Sequence, residues 1–231
     1  APSGGVWVQL PCSEGVSALP LQRSCQPLGS ALAVRHPVNV EVVSTGGWRL
    51  SNGLLSLDVS AQGLVQLRDS NGVEQLSEPL RLLRFSDRGE FWDAWDLAAD
   101  YRQHPLLMSA CWSAELVESG PLTARIVLRT VAGLSQVRLD LLLKADSPWL
   151  EAQLSVHWQQ THELLRLELP LKRPAVRWAA DTSGGVIERP AQAWTPFEQE
   201  RWELPVISWL AAEAEAPGGG MAVLLDGPQG V

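Results

Sequence analysis

The sequence has few basic residues and no long apolar run. Its 18 Lys and Arg against 26 Asp and Glu give a net charge of −8 and a pI near 5.0. A nucleic-acid-binding protein needs a basic face for the phosphate backbone, so we expect no nucleic-acid partner. No window approaches the roughly 20 apolar residues of a spanning helix, so we expect no membrane partner.

Cysteine is also scarce, and the motifs of common catalysts are missing. Cys12, Cys25 and Cys111 form an odd set without CxxC spacing, which excludes a disulfide framework and a zinc ribbon. We expect all three to be buried thiols. The sequence contains no GxSxG elbow, HExxH helix, P-loop or GxGxxG after a strand. The most frequent hydrolase and nucleotide-binding signatures are therefore excluded.

The composition is that of a globular protein: 45% of the 231 residues are hydrophobic and 19% are charged. The chain starts Ala-Pro-Ser-Gly-Gly without an initiator Met or an apolar signal segment, and it stops after an apolar run. We expect that both ends were cut from a longer polypeptide.

Alternating apolar and polar residues recur along the chain. Leu55, Leu57 and Val59 alternate with polar residues, and residues 126–130, 134–143 and 150–158 follow the same pattern. Short connections between these segments favour antiparallel strands, and no window shows a clean helical period. The sequence predicts an all-β fold with a type I′ hairpin turn at Asn71-Gly72 and a solvated loop over residues 211–220.

The segment Phe91-Trp92-Asp93-Ala94-Trp95-Asp96, which we call the Trp-Asp segment, is the most unusual feature in a chain with 11 Trp. Indole faces cover the C–H patches of a pyranose, and carboxylates accept hydrogen bonds from its hydroxyls. A strand or a helical turn would each pair an indole with an acid. Two alternatives to a sugar site stay open. The tryptophans could pack in the core while the Asp residues cap backbone amides, or two carboxylates could be the acid and nucleophile of a glycosidase.

His157 and His162 are the only histidines close together in sequence. A continuous strand would point residues five apart to opposite faces, so the two side chains could not bind one metal ion. We therefore expect no zinc site at this pair.

From about Trp48 onward the chain resembles the β-sandwich domain that follows the catalytic domain in glycoside hydrolase family 38 alpha-mannosidases, especially the cytosolic and bacterial type. The resemblance is carried by motifs in order: Leu50-Ser51-Asn52-Gly53-Leu54-Leu55, the Trp-Asp segment, Gly120-Pro121-Leu122, Val156-His157-Trp158, His162-Glu163-Leu164-Leu165-Arg166, Glu188-Arg189-Pro190, Trp202-Glu203, Trp209 and Gly220-Met221-Ala222.

The resemblance implies a galactose-mutarotase-like super-sandwich over residues 47–231, preceded by a small β segment or linker over residues 1–46. It implies a retaining alpha-mannosidase, cytoplasmic, whose zinc ion and aspartate nucleophile lie on a catalytic domain of the same polypeptide. This chain would hold no catalytic or metal residue. The substrate-binding candidates at the rim of the mannoside pocket are Trp92, Asp93, Trp95, Asp96 and Arg189. A homo-oligomer stays open.

Two other functions compete with this reading. One is an aldose epimerase-like enzyme on the same sandwich, in which His162 and a carboxylate would act as base and acid. The other is a free-standing carbohydrate-binding module that uses exposed tryptophans alone.

Overall fold

The computed structural model describes residues 34–44, 46–89, 96–109, 111–200, 203, 205–215 and 219–230. Nearly all regular structure in these residues is β, so the all-β prediction is confirmed. One short helix, α1 (Pro196–Gln199), and one 3₁₀ turn (Tyr101–Gln103) are the helical elements of the described part. No helix in those ranges has the length and apolarity needed to cross a bilayer.

The strands have the following bounds: β1 Asn39–Val42, β2 Trp48–Ser51, β3 Ser56–Ser60, β4 Gly63–Arg68, β5 Arg81–Ser86, β6 Pro105–Leu106, β7 Ser113–Ser119, β8 Thr123–Ala132, β9 Ser135–Lys144, β10 Leu150–His157, β11 Glu163–Glu168, β12 Ala175–Thr182, β13 Gly185–Pro190, β14 Pro205–Val206, β15 Trp209–Ala214, β16 Gly220–Leu224 and β17 Gln229–Gly230.

These strands form antiparallel sheets. The first sheet has the order β1-β2-β3-β4, the second β10-β9-β8-β7, the third β11-β5-β6 and the fourth β13-β12-β15-β16, and β14 pairs with β17. Most neighbours are consecutive in the chain, as the short predicted connections require. The pairing of β11 with β5 is an exception, because these strands are far apart in sequence.

The main core lies between the first and second sheets. Alternate residues of β3 and β9 point inward, and Leu57, Val59, Leu139, Leu141 and Leu143 are all at most 1% exposed. Burying each such side chain stabilises the fold by about 1.5–3 kcal/mol. The period-two pattern seen in the sequence therefore corresponds to this interior.

The covered area of the second sheet ends at β9. Leu139 on β9 is fully buried, whereas its partner on β10, Leu154, is 38% exposed. Val137 and Val156 repeat the contrast at 1% and 37%. The core-facing side of β10 thus extends past the layer that covers its neighbour.

The chain reverses at Asn71-Gly72 as expected, but the turn type is wrong. Gly72 has φ +75°, whereas Asn71 is not among the residues with positive φ. A type I′ turn needs positive φ at both central residues. Instead the Asp69 carboxylate accepts hydrogen bonds from the N–H groups of Asn71 and Val73, each 2.9 Å long. This side chain fixes a different turn.

Two further expectations are wrong. Residues 211–214 belong to β15 rather than to a loop, because β12 and β16 pair with them on both sides. Cys111 is exposed rather than buried. Cys12 and Cys25 lie outside the described residues.

The division at residue 46 stays a prediction, because residues 1–33 are outside the described part. Within that part, β1 pairs with β2 across the turn that contains Gly46 and Gly47.

Candidate functional site

The candidate site lies where β5 ends and the chain leaves the third sheet. Ser86 is the last residue of β5, and the chain returns to this strand at β6, where Pro105 pairs with Phe85. The Ser86 N–H donates to the His104 carbonyl at 2.9 Å. Residues 87–104 therefore form an excursion whose two ends meet beside β5.

Asp87 ties this excursion together. Its carboxylate accepts a hydrogen bond of 2.8 Å from the N–H of Ala98, eleven residues later. Its own N–H donates to the carbonyl of His162 at 2.8 Å, and His162 is held at φ +55°. Asp87 thus connects both ends of the Trp-Asp segment's loop to the start of β11.

The predicted site residues are only partly described. Trp92, Asp93 and Trp95 lie outside the described residues. Asp96 is exposed, and its Oδ1 accepts a 2.9 Å hydrogen bond from the N–H of Leu97. This local contact satisfies one carboxylate oxygen, so the remaining acceptor capacity of Asp96 faces solvent.

Arg189, the fifth candidate, lies on β13 in the fourth sheet. Its guanidinium carbon is 5.7 Å from the ring centroid of Trp178, its cross-strand partner, within cation–π range. Hydrogen bonds from the backbone N–H groups of Thr195 and Trp194 lower the pKa of Glu198, and the positive charge of Arg189 contributes to the same shift. The guanidinium is therefore oriented by an indole and by negative charge.

A cleft opens beside the end of β5. It has a volume of about 360 Å³, and the described residues that line it are Ser86, Arg88, Ala98, Asp100 and His104. Asp100 and His104 are joined by a 3.0 Å contact between Oδ2 and Nε2. The cleft therefore combines a cation, a carboxylate, an imidazole and a hydroxyl.

A buried tyrosine holds the 3₁₀ turn that forms one wall of this cleft. Tyr101 is fully buried, and its ring meets Phe85 edge-on with centroids 5.2 Å apart. Its hydroxyl donates to Glu203 at 2.5 Å and accepts from Arg102 Nε at 2.9 Å. Arg166 of β11 donates to both the Tyr101 hydroxyl and the Glu203 carboxylate.

The electrostatics of this group, which we call the Tyr101 cluster, follow from burial. Burial and the hydrogen bond to Glu203 raise the pKa of Tyr101, so the phenol stays protonated over the physiological range. The hydrogen bond to Tyr101 raises the pKa of Arg102. The cluster therefore keeps a neutral donor between two guanidinium groups and one carboxylate.

The sequence pattern does not predict that Asp87, Tyr101 and Glu203 hold the loop and the turn beside the candidate cleft. Tyr101 is the sole Tyr of the chain, but a lone aromatic carries no spacing that predicts partners 65 and 102 residues away. Arg166 and Glu203 lie within motifs that carry the family resemblance, but the resemblance implies no role for either residue.

His157 and His162 belong to no metal-binding group among the residues that the structure describes. His157 Nε2 lies 3.1 Å from Gln159 Nε2, and His162 is exposed. Among the described ranges, no three His, Cys, Asp or Glu side chains lie close enough together to hold a metal ion.

Comparisons with known proteins agree with the resemblance. The model of the glycosyl hydrolases family 38 C-terminal domain matches residues 50–231. The chain is 25% identical to Alpha-mannosidase 2C1 of Homo sapiens, covering 93% of this chain and 21% of that protein. It is 28% identical to Alpha-mannosidase G of Dictyostelium discoideum, covering 79% of this chain and 18% of that protein.

The chain thus spans about a fifth of the length of these curated relatives. The family match covers both elements of the candidate site, the end of β5 and the strand that carries Arg189. The chain belongs to glycosyl hydrolases family 38, as its C-terminal domain.

Proposed function

We propose that this chain is the C-terminal β-sandwich of a retaining alpha-mannosidase. In this proposal it supports a catalytic domain of the same polypeptide and contributes to the rim of the sugar pocket. The observation that carries the proposal is the family match over residues 50–231, together with relatives named as alpha-mannosidases.

The zinc ion and the nucleophilic aspartate would come from the catalytic domain. When bound there, the metal would act as a Lewis acid on the mannoside. The part of this chain that the structure describes offers no three-ligand set for it. We therefore assign this chain's own residues to binding and orientation alone.

The rim role is supported by the exposed carboxylate of Asp96 and by the tie between Asp87 and Ala98. An exposed carboxylate can accept hydrogen bonds from sugar hydroxyls, and Asp96 has acceptor capacity beyond its contact with Leu97. The 2.8 Å bond between Asp87 and Ala98 fixes the loop two residues after Asp96. A carboxylate held in this way loses little freedom when it binds a ligand.

Arg189 would present its donors from another sheet. Its cation–π contact with Trp178 restrains the guanidinium, and a guanidinium is a strong donor to sugar hydroxyls. On the same resemblance, we propose a cytoplasmic location; secretion of the natural protein would contradict it.

The proposal is tested by comparing the full-length polypeptide with the 231-residue chain alone. We expect the full-length protein to hydrolyse an aryl alpha-mannoside with retention and to bind zinc stoichiometrically. We expect the chain alone to do neither. Hydrolysis by the pure chain would refute this division of labour, and so would mutarotation of galactose or glucose measured by polarimetry.

A further inference from the structure

The cleft at the end of β5 has hydrogen-bonding groups that the described protein does not use. Arg88 makes no hydrogen bond or ion pair with any residue that the structure describes, and neither does the Ser86 hydroxyl. Asp100 uses only Oδ2, in its contact with His104 Nε2, which leaves Asp100 Oδ1 and His104 Nδ1. Donors and acceptors therefore both line the same space.

The charges in the cleft favour an uncharged ligand. The guanidinium of Arg88 and the carboxylate of Asp100 are opposite in sign, and His104 already contacts Asp100. A phosphate would meet the carboxylate, and an ammonium group would meet the guanidinium, each at an electrostatic cost. A ligand with many hydroxyl groups can donate to Asp100 and accept from Arg88 at once.

The size of the cleft is also informative. Its volume of about 360 Å³ is at the lower end of the roughly 300–1,000 Å³ of ligand pockets, which suits a single sugar ring. Its described lining contains no large apolar side chain. The described lining therefore offers an apolar ligand little apolar surface.

The walls of the cleft are held before any ligand binds. The backbone bond between Ser86 and His104 joins one wall to the other, and Asp87 fixes Ala98. The Tyr101 cluster holds the 3₁₀ turn between Asp100 and His104. Such preorganisation reduces the entropy lost on binding.

We propose that this cleft, formed by Ser86, Arg88, Asp100 and His104, is a binding subsite for an uncharged polyhydroxylated ligand. The proposal rests on the proposed function, under which the ligand is a hexose unit of the mannoside substrate. The Tyr101 cluster then acts as a positioning device for one wall of the subsite.

The test uses the full-length polypeptide with Asp100→Asn and Arg88→Gln. We expect each variant to raise KM for an alpha-linked mannose disaccharide about tenfold, the loss of one hydrogen bond to a charged group, with kcat changed less than twofold. The control is Glu151→Gln. Glu151 lies on the edge strand β10, and its exposed carboxylate forms an ion pair with Lys144 of β9. This control should keep the wild-type KM. An unchanged KM in both cleft variants of an active enzyme would overturn the proposal.

A second readout separates this proposal from the proposed function. Calorimetric titration of the full-length protein with D-mannose should show binding that Asp100→Asn weakens about tenfold. Suppose the wild-type protein hydrolyses no alpha-mannoside, but Asp100→Asn still binds D-mannose about tenfold more weakly than the wild type. The proposed function is then wrong and the subsite stands. If inorganic phosphate competes with D-mannose for the cleft, or D-mannose binds the variants as it binds the wild type, the subsite is wrong.

Discussion

The hydroxyl of Tyr101 donates a 2.5 Å hydrogen bond to the carboxylate of Glu203, a residue 102 positions away in the chain. Arg166 of β11 donates to both groups. This contact joins three distant parts of the sequence: the loop after β5, strand β11 and the stretch before β14. It anchors the 3₁₀ turn between Asp100 and His104, two residues that line the candidate cleft.

Tyr101→Phe should therefore destabilise the protein by about 1–2 kcal/mol, because it removes a buried hydroxyl while keeping the ring's packing on Phe85. Urea unfolding measures the change. Ser77→Ala, which removes an exposed hydroxyl with a long 3.4 Å contact, is the control and should leave the midpoint within error. Equal midpoints for Tyr101→Phe and the wild type would contradict the role of the cluster.

Leu139 and Leu154 provide a matched test of where the core ends, because they face each other across β9 and β10. Leu139 is fully buried and Leu154 is 38% exposed. We expect Leu139→Ala to cost about 2–5 kcal/mol and Leu154→Ala less than about 1 kcal/mol, by denaturant unfolding. Similar losses at the two positions would show that another layer covers β10.

Gly46 and Gly47 test the turn between β1 and β2. Both have positive φ, +84° and +104°, so alanine is strained at either position. A Cβ on Gly47 would also lie 2.2 Å from the carbonyl oxygen of Val59, whereas one on Gly46 meets nothing within 4 Å. Gly46→Ala should cost about 1 kcal/mol and Gly47→Ala clearly more. Thermal unfolding of the two variants compares them, and the reverse order would contradict this geometry.

Asp181 makes the stability depend on acid pH. Its carboxylate accepts hydrogen bonds from the Ser208 hydroxyl and from the N–H groups of Ser208 and Trp209, which lower its pKa from 3.8 to about 2. Because the folded pKa is the lower one, this contribution is present above about pH 4 and is lost as the pH falls toward 2.

NMR titration of the Asp181 carboxyl carbon measures this shift directly. We expect Ser208→Ala to raise the pKa of Asp181, because the hydroxyl is the largest cause of the lowered value. Asp181→Asn should flatten the loss of stability between pH 4 and pH 2. A pKa of Asp181 near 3.8 in the wild type would contradict the hydrogen bonds described.

Local pattern predicted much of the sandwich, because alternation reports which face of a strand is buried. Leu57 and Val59 alternate with polar neighbours, and both lie in the core. The turn at Asn71 differs from the predicted type I′, since the carboxylate of Asp69 overrides the preference of the Asn-Gly pair. Residues 211–214 of β15 show no apolar alternation, so the sequence predicts a loop there, but backbone pairing with β12 on one side and β16 on the other makes them a strand.

The candidate site was less accessible to sequence reasoning. The composition of the Trp-Asp segment marks it in the sequence, but the tie of its loop to β11 depends on Asp87 and on the carbonyl of His162, 75 residues further along. Long-range contacts of this kind leave no local period. The cleft between Arg88 and Asp100 likewise arises only after β6 returns beside β5.

The most direct test of the rim role is kcat/KM for an aryl alpha-mannoside in the full-length polypeptide carrying Asp96→Asn. We expect a fall of about tenfold or more, with a melting temperature close to that of the wild type, because the Asp96 side chain is exposed and its hydrogen bond within the described residues is a local one, from the Leu97 N–H. The control is Glu78→Gln. Glu78 precedes β5, and its exposed carboxylate forms an ion pair with Arg81, so this variant should leave both quantities unchanged. A wild-type kcat/KM in Asp96→Asn would contradict the account and leave this domain with a supporting role alone.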